Sequence, residues 1–296
     1  MRVFVTGATG WVGSAVVEEL IAAGHEVSGL ARSAKSAEKL AAMGASVVRG
    51  AIEDLEVLRS AATAADAIIH TAFNHDWSRF AENCAADKAA IEVLGDAIEE
   101  TDKPLVVTSG VALLAPGRLA TEEDAAPPVT ESFPRASEAV VGDLRKRGVR
   151  ACAVRLAPSV HGVGDHGFVP RLAGIAREKG VSAFVGDGHN RWPAVHRCDA
   201  AHLFRLALDR PEAGPFHAVA EEGVALKNIA EAIGRQFNLP VESVAASEAQ
   251  KQFGWFAPFV SLDAPTSSEG TREATGWEPK ERGLLADLAD PAYFSG

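Results

Sequence analysis

Val3-Phe4-Val5-Thr6-Gly7-Ala8-Thr9-Gly10-Trp11-Val12-Gly13 is the stretch that decides the fold of this chain. Apolar, β-favouring residues run into three glycines spaced three apart. After Gly13 the pattern turns helical, with Ala15, Val16, Leu20 and Ile21 near one face and Gly24 closing the segment. This is a strand, a glycine turn and a helix. In a dinucleotide site the three glycines act differently. Gly7 turns the chain off the strand, Gly10 admits a pyrophosphate to the backbone, and Gly13 lets the helix pack close on the sheet. The free N–H groups of the first helical turn then face the phosphates. Glycine spacing alone is weak evidence; the strand before it and the helix after it supply the context.

The second strand, His25 to Ala31, ends at Arg32-Ser33. An NAD site usually places a carboxylate about 20 residues past the glycines, on the ribose 2′-hydroxyl. Gly29, Leu30 and Ala31 offer none, and Arg32 stands where a 2′-phosphate would sit, with Ser33 and Lys35 close behind. NADP(H) is therefore the expected cofactor, the plainer alternative being a solvated strand-end arginine.

Further strands are expected at Ala45–Arg49, Asp66–Phe73, Leu105–Thr108 and Ala151–Leu156, with helices at Ser36–Met43, Leu55–Ala62, Phe80–Glu100 and Arg135–Arg147. Alternation at this spacing predicts an α/β, Rossmann-type, doubly wound parallel sheet. Prolines 116, 127, 128 and 134 and Glu122-Glu123-Asp124 mark a long irregular loop from Gly110 to Pro134. Beyond Gly164 the alternation fades. Helices are expected at Val169–Lys179, Asp199–Leu208, Leu226–Phe237 and Glu248–Phe253, and Phe216–Val219 reads as one more strand of the main sheet. The division expected is a dinucleotide-binding domain of residues 1–164 plus about 190–220, and a small C-terminal substrate cap of about 165–189 and 221–296.

Composition narrows the function. Net charge is 29 − 40 = −11, which argues against nucleic acid or an anionic membrane as a partner. Cys84, Cys152 and Cys198 are far apart and read as buried thiols of a reducing compartment. The first strand follows Met1-Arg2 directly, and no apolar run reaches membrane-spanning length, so a cytoplasmic protein is expected.

Taken together, several segments carry a family likeness. Thr6–Gly13 resembles the TGxxGxxG fingerprint of the extended short-chain dehydrogenase/reductases, the NAD(P)-dependent epimerase/dehydratase group. His70-Thr71-Ala72 is similar to that family's H-x-A, and Thr108-Ser109 to the end of its fifth strand. Arg155–Gly162 resembles its R-x-x-x-V-Y-G, Val195–Asp199 its V-H-V-x-D, and Gly276-Trp277-Glu278-Pro279 its G-W-x-P. The resemblance implies cofactor contacts at Gly7, Thr9, Gly10, Trp11, Val12, Gly13, Arg32, Ser33, Ile52, Thr71, Ala72, Phe73, Thr108, Pro158, Ser159 and Val160. It also implies a homodimer through the helices Phe80–Glu100 and Arg135–Arg147, with Val140, Val141 and Leu144 as an apolar face.

The departures matter as much. The family's acid is a tyrosine in a Tyr-x-x-x-Lys pair after the long loop. Here Thr130–Glu138 holds neither residue, and the single tyrosine is Tyr293. Ser109 is the nearest retained hydroxyl, unless Gly110 or Val111 takes the serine's place in the register. Arg135 could replace the lysine's charge or be a first-turn helix arginine. His161 stands for the tyrosine of V-Y-G and is either a proton-transfer group or a structural histidine, with His75, His166 and His196 as similar candidates. The histidines are too scattered to mark a metal site. Phe168, Trp192, Trp255, Phe256 and Phe259 come from segments expected to cover the reacting end, which suits an apolar carbonyl compound better than a nucleotide sugar. The function expected is an NADP(H)-dependent oxidoreductase of such a small molecule; the alternatives are an epimerase, dehydratase or isomerase, and a non-catalytic NADP(H)-binding sensor.

Overall fold

Chain alternation produces the strands β1 (Arg2–Thr6), β2 (Glu26–Ala31), β3 (Ser46–Arg49), β4 (Ala67–His70), β5 (Leu105–Gly110), β6 (Ala151–Leu156), β7 (Ser159–His161), β8 (Ser182–Val185), β9 (Arg191–His196), β10 (Phe216–Ala218), β11 (Glu221–Ala225) and β12 (Val241–Val244) in a computed structural model, which describes residues 1–294. Seven of them form one sheet in the order β3-β2-β1-β4-β5-β6-β10, every pair parallel. This is the doubly wound order, with its switch point between β1 and β4. A strand buried on both faces reads as a continuous apolar run. Ala67–His70 is one, buried at every residue.

The longer helices are α1 (Trp11–Ala22), α2 (Ala34–Ala42), α3 (Leu55–Ala64), α4 (Phe80–Asp96), α5 (Ser137–Lys146), α6 (Phe168–Lys179), α7 (Arg197–Ala207) and α8 (Leu226–Phe237), and shorter ones follow at Ala249–Phe253, Ala257–Val260, Glu269–Thr275 and Leu284–Leu288. On one face of the sheet α1, α2 and α7 close a core through Val16, Leu20, Leu40 and Phe204; on the other, α3, α4 and α5 do so through Leu58, Ile91, Leu94 and Leu144. A third apolar cluster joins α6 and α8 to Trp192 of β9, Phe253, Phe256, Leu284 and Tyr293. Two small sheets, β11-β9-β7 and β12-β8, frame this cap-like part. No helix among the described residues is long and apolar enough to cross a membrane.

Four expectations change. Strands β7, β8, β9, β11 and β12 lie where no strand was expected. They are three to six residues long and form only small sheets, too short to show a period in sequence. Helix α5 starts at Ser137, after the non-helical backbone of Ala136 (φ −115°, ψ 8°), and leaves Arg135 outside it, its guanidinium bonding Ser137 Oγ and Thr108 O. Cys84 and Cys152 are buried, but Cys198 is exposed in the first turn of α7. Val140, Val141 and Leu144 are 5%, 5% and 1% exposed and belong to the protomer's own core, Leu144 packing against Gly95 of α4.

Candidate cofactor and substrate site

The carboxyl ends of β1 to β6 gather the expected cofactor residues along one edge of the sheet. Gly7 has φ +66°, and a Cβ there would meet Ala72 N at 2.6 Å; at Gly13 it would meet Gly7 O at 2.1 Å. The turn and β4 are thus pressed together with no room for side chains. Gly10 differs. It is exposed, and a Cβ would touch only Gly7 O, at 3.1 Å, so the space over it opens outward. Helix α1 begins without a side-chain cap and without an acidic residue in its first turn. Its leading N–H groups have no intrahelical acceptor, which is the donor set a pyrophosphate needs. The residues fit a dinucleotide.

Around this turn, Thr71 Oγ1 donates to Thr6 O at 2.7 Å, Thr108 Oγ1 to His70 O at 2.8 Å, and Trp11 Nε1 to Val160 O at 2.7 Å. Thr71, Ala72 and Phe73 follow β4, Ile52 follows β3, and Pro158, Ser159 and Val160 follow β6. Arg32 is exposed just past β2, and its guanidinium has no hydrogen-bond or ion-pair partner among the described residues. Ser33 caps α2, its Oγ accepting from Ser36 N at 3.1 Å. Lys39, which nothing in the sequence marks, donates from Nζ to Thr9 O at 3.0 Å.

Beneath the site runs a buried polar chain. His70 is 1% exposed; its Nε2 donates to Asp87 Oδ1 at 3.0 Å, and its Nδ1 accepts from Thr6 Oγ1 at 2.8 Å. Ser137 Oγ donates to Asp87 Oδ2 at 2.7 Å and accepts from Arg135 Nε at 3.2 Å. Burial pushes the Asp87 carboxyl up, but His70, Arg135 and Ser137 together outweigh it and hold the group below the usual carboxylate range.

Ser109 has a partner that sequence reasoning missed. Parallel pairing sets it beside Arg155, and Glu138 of α5 drops between them. Ser109 Oγ donates to Glu138 Oε1 at 2.6 Å, while Arg155 forks onto both carboxylate oxygens at 2.8–3.1 Å. Behind Arg155, His217 Nε2 accepts from its Nη1 at 3.1 Å and His217 Nδ1 donates to Ser267 O at 2.7 Å. Burial, foremost, holds this imidazole below its ordinary range, so it is neutral. Glu138 reads in sequence as an acid favourable at a helix start, which hid its role.

Arg135 lies close to Ser109, its Nη2 donating to Thr108 O at 3.3 Å and its guanidinium 4.4 Å over the Phe73 ring. From Phe73 an aromatic series continues through Phe80 and Trp77 to Trp255, Phe259 and Phe168. Trp77 and Trp255 are 45% and 49% exposed, and no sequence pattern singles out Trp77. Trp192 and Phe256 are fully buried in the third apolar cluster. His161 is 1% exposed, with Nδ1 at 2.6 Å from Asp287 Oδ2 and Nε2 without a hydrogen-bond partner among the described residues. Tyr293 lies in the third apolar cluster and donates to Asp165, whose neighbours Gly164 and His166 approach Trp11 of the glycine turn. Burial and the Asp165 charge push the Tyr293 phenol well above the usual range, so it holds its proton.

A parallel sheet in this order with a glycine turn at the switch point defines a Rossmann-type dinucleotide-binding protein. Residues 3–219 match the NAD dependent epimerase/dehydratase family, and the chain belongs to it. An uncharacterized protein of Schizosaccharomyces pombe is 47% identical, with 99% of this chain and 100% of that one covered. A 4-hydroxy-2-methyl-3-oxo-4-farnesyl-3,4-dihydroquinoline-1-oxide ketoreductase of Stigmatella aurantiaca is 28% identical over 75% of this chain and 68% of its own. The solved UDP-glucose 4-epimerase of Thermus thermophilus, in complex with NAD, shares the fold at TM-score 0.75 and 20% identity, covering 100% of this chain and 99% of that one.

Proposed function

We propose that the protein is an NADP(H)-dependent oxidoreductase of a small, fairly apolar carbonyl compound. The observation that carries this reading is Arg32, an unpartnered guanidinium at the carboxyl end of β2, where no carboxylate stands to favour a ribose hydroxyl. The aromatic series from Phe73 to Phe168 supports an apolar substrate. So does the name of the Stigmatella relative, a ketoreductase of a farnesyl-bearing compound.

When bound, the dinucleotide would donate or accept a hydride. Gly10 and the first turn of α1 would hold its pyrophosphate, and Arg32 its 2′-phosphate. At the reacting end Arg135 keeps Nη1 free of protein partners among the described residues, while Ser137 and Thr108 fix the rest of the guanidinium. That nitrogen is suited to a substrate oxygen on which negative charge develops. Ser109 commits its hydrogen to Glu138, so its lone pairs are available to a substrate hydroxyl in the oxidative direction. Glu138, locked by Arg155, keeps Ser109 in that orientation. His161, held by Asp287, fixes the cap rather than moving a proton to substrate.

The test is a panel of ketones, aldehydes, imines and activated alkenes with NADPH, followed at the nicotinamide absorbance. Substrate-dependent oxidation is expected, with Arg135→Leu lowering kcat by about 10²–10³, the usual scale for an oxyanion donor. Ser109→Ala should lower it about tenfold, the worth of one hydrogen bond. Tight NADPH binding with no turnover on any member of the panel would replace this reading by that of a sensor protein.

A further inference from the structure

His196, Cys198 and Glu281 come from the end of β9, the first turn of α7 and the segment after Gly276-Trp277-Glu278-Pro279. Each offers one ligand atom, and the three atoms lie within 4.8 Å of one another. Glu281 is far along the chain from the other two, so no spacing pattern in the sequence reveals the group.

The three are brought together by backbone, not by chance rotamers. Buried Asp199 accepts from the N–H groups of Lys280 and Glu281 at 2.8 and 3.1 Å, and its carbonyl accepts from Trp277 Nε1 at 2.9 Å. Trp277 is fully buried, so the segment carrying Glu281 is pinned to the residue next to Cys198. We propose that His196, Cys198 and Glu281 form a binding site for a zinc-type divalent transition metal that clips the 276–283 segment to α7.

The chemistry of the ligand set favours this occupant. Imidazole nitrogen, thiolate sulfur and carboxylate oxygen are the three donors zinc takes, and thiolate plus carboxylate neutralise a divalent charge. Zinc bonds of about 2.0–2.3 Å put tetrahedral ligands about 3.6 Å apart, so closure asks for a shift of about 1 Å. Cys198 and Glu281 are exposed and have the freedom to make it. His196 Nδ1 now takes a long contact of 3.3 Å from Cys198 N, which a metal bond would replace. Its Nε2 stands 4.0 Å from Asp287 Oδ2, beyond hydrogen-bond distance, and that oxygen already bonds His161 Nδ1. Arg197 turns away from the group, over the Trp11 ring at 4.4 Å.

Metal-stripped protein is titrated with Co²⁺ in the near ultraviolet, where a thiolate-to-cobalt band reports sulfur ligation. Cys84 and Cys152 are buried, so the band would belong to Cys198. The expected result is a band that saturates at one equivalent, is displaced by Zn²⁺ and is absent from Cys198→Ser. Glu281→Gln and His196→Asn should each need at least about tenfold more Co²⁺. Zn²⁺ should also raise the Tm of the wild type but not of Cys198→Ser. No band, a band that persists in Cys198→Ser, or a band indifferent to Glu281→Gln would overturn the site. The last outcome would mark a solitary surface thiol, and because Glu281 is exposed that variant is safe to fold.

Discussion

Arg32 and Asp87 show how differently one charged residue can act. Arg32 has no protein partner among the described residues, so its energetic role lies in what it binds. Charge-assisted hydrogen bonds to a 2′-phosphate contribute roughly 1.5–3 kcal/mol, and each 1.4 kcal/mol is about tenfold in affinity. NADPH should therefore bind about ten to a hundred times tighter than NADH at low salt. Arg32→Ala should erase that gap and leave NADH unchanged, as titration of both nucleotides would read; equal losses for both would reduce Arg32 to a solvated arginine. Asp87, by contrast, is enclosed with His70 and Ser137. Removing one partner of a buried pair costs about 3–5 kcal/mol, and Asp87→Ala should lower stability by that order in denaturant titrations. Its pKa is depressed in the folded chain, so its contribution is complete above the unfolded value of about 4 and is lost as pH falls through the folded value. Acid unfolding followed by circular dichroism should accordingly be shallower in Asp87→Asn than in the wild type.

At the scale of elements, the β1–α1 turn separates folding from binding. A methyl at Gly13 would overlap Gly7 O at 2.1 Å, so Gly13→Ala should destabilise the protein and express poorly. At Gly10 the same methyl meets only Gly7 O, at 3.1 Å, and otherwise projects into open space. Gly10→Ala should keep a Tm close to the wild type yet weaken NADPH and NADH alike, by about tenfold or more, because it obstructs the pyrophosphate they share. Paired with Arg32→Ala, which discriminates between the two nucleotides, it divides the site into its common and its specific halves. Calorimetric titration of both variants checks the division.

For the whole molecule, we propose a homodimer across the outer faces of α4 and α5. With Val140, Val141 and Leu144 buried inside the protomer, such a contact would be polar, drawing on exposed Lys88, Asp143 and Lys146 and half-buried Glu92. It should weaken as salt screens those charges. Light scattering at micromolar concentration should give a dimer mass at low salt that falls as salt rises; a monomer mass throughout would refute the assembly.

Much of this was legible in the chain by itself. The parallel sheet and the glycine turn follow from local signals, since apolar runs and glycine spacing act within about ten residues. Arg32 could be singled out for the proposed 2′-phosphate contact because its position is counted from that turn. Tertiary structure alone decided the rest. The His70–Asp87–Ser137 chain, the Ser109–Glu138–Arg155 cluster and the meeting of Trp77 with Trp255 each join residues far apart in sequence, from 17 positions for His70 and Asp87 to 50 for Asp87 and Ser137 and more for the two tryptophans. No periodicity encodes such a meeting. His161 shows the same limit, for nothing in its motif announces that Asp287, 126 residues later, lies at its Nδ1.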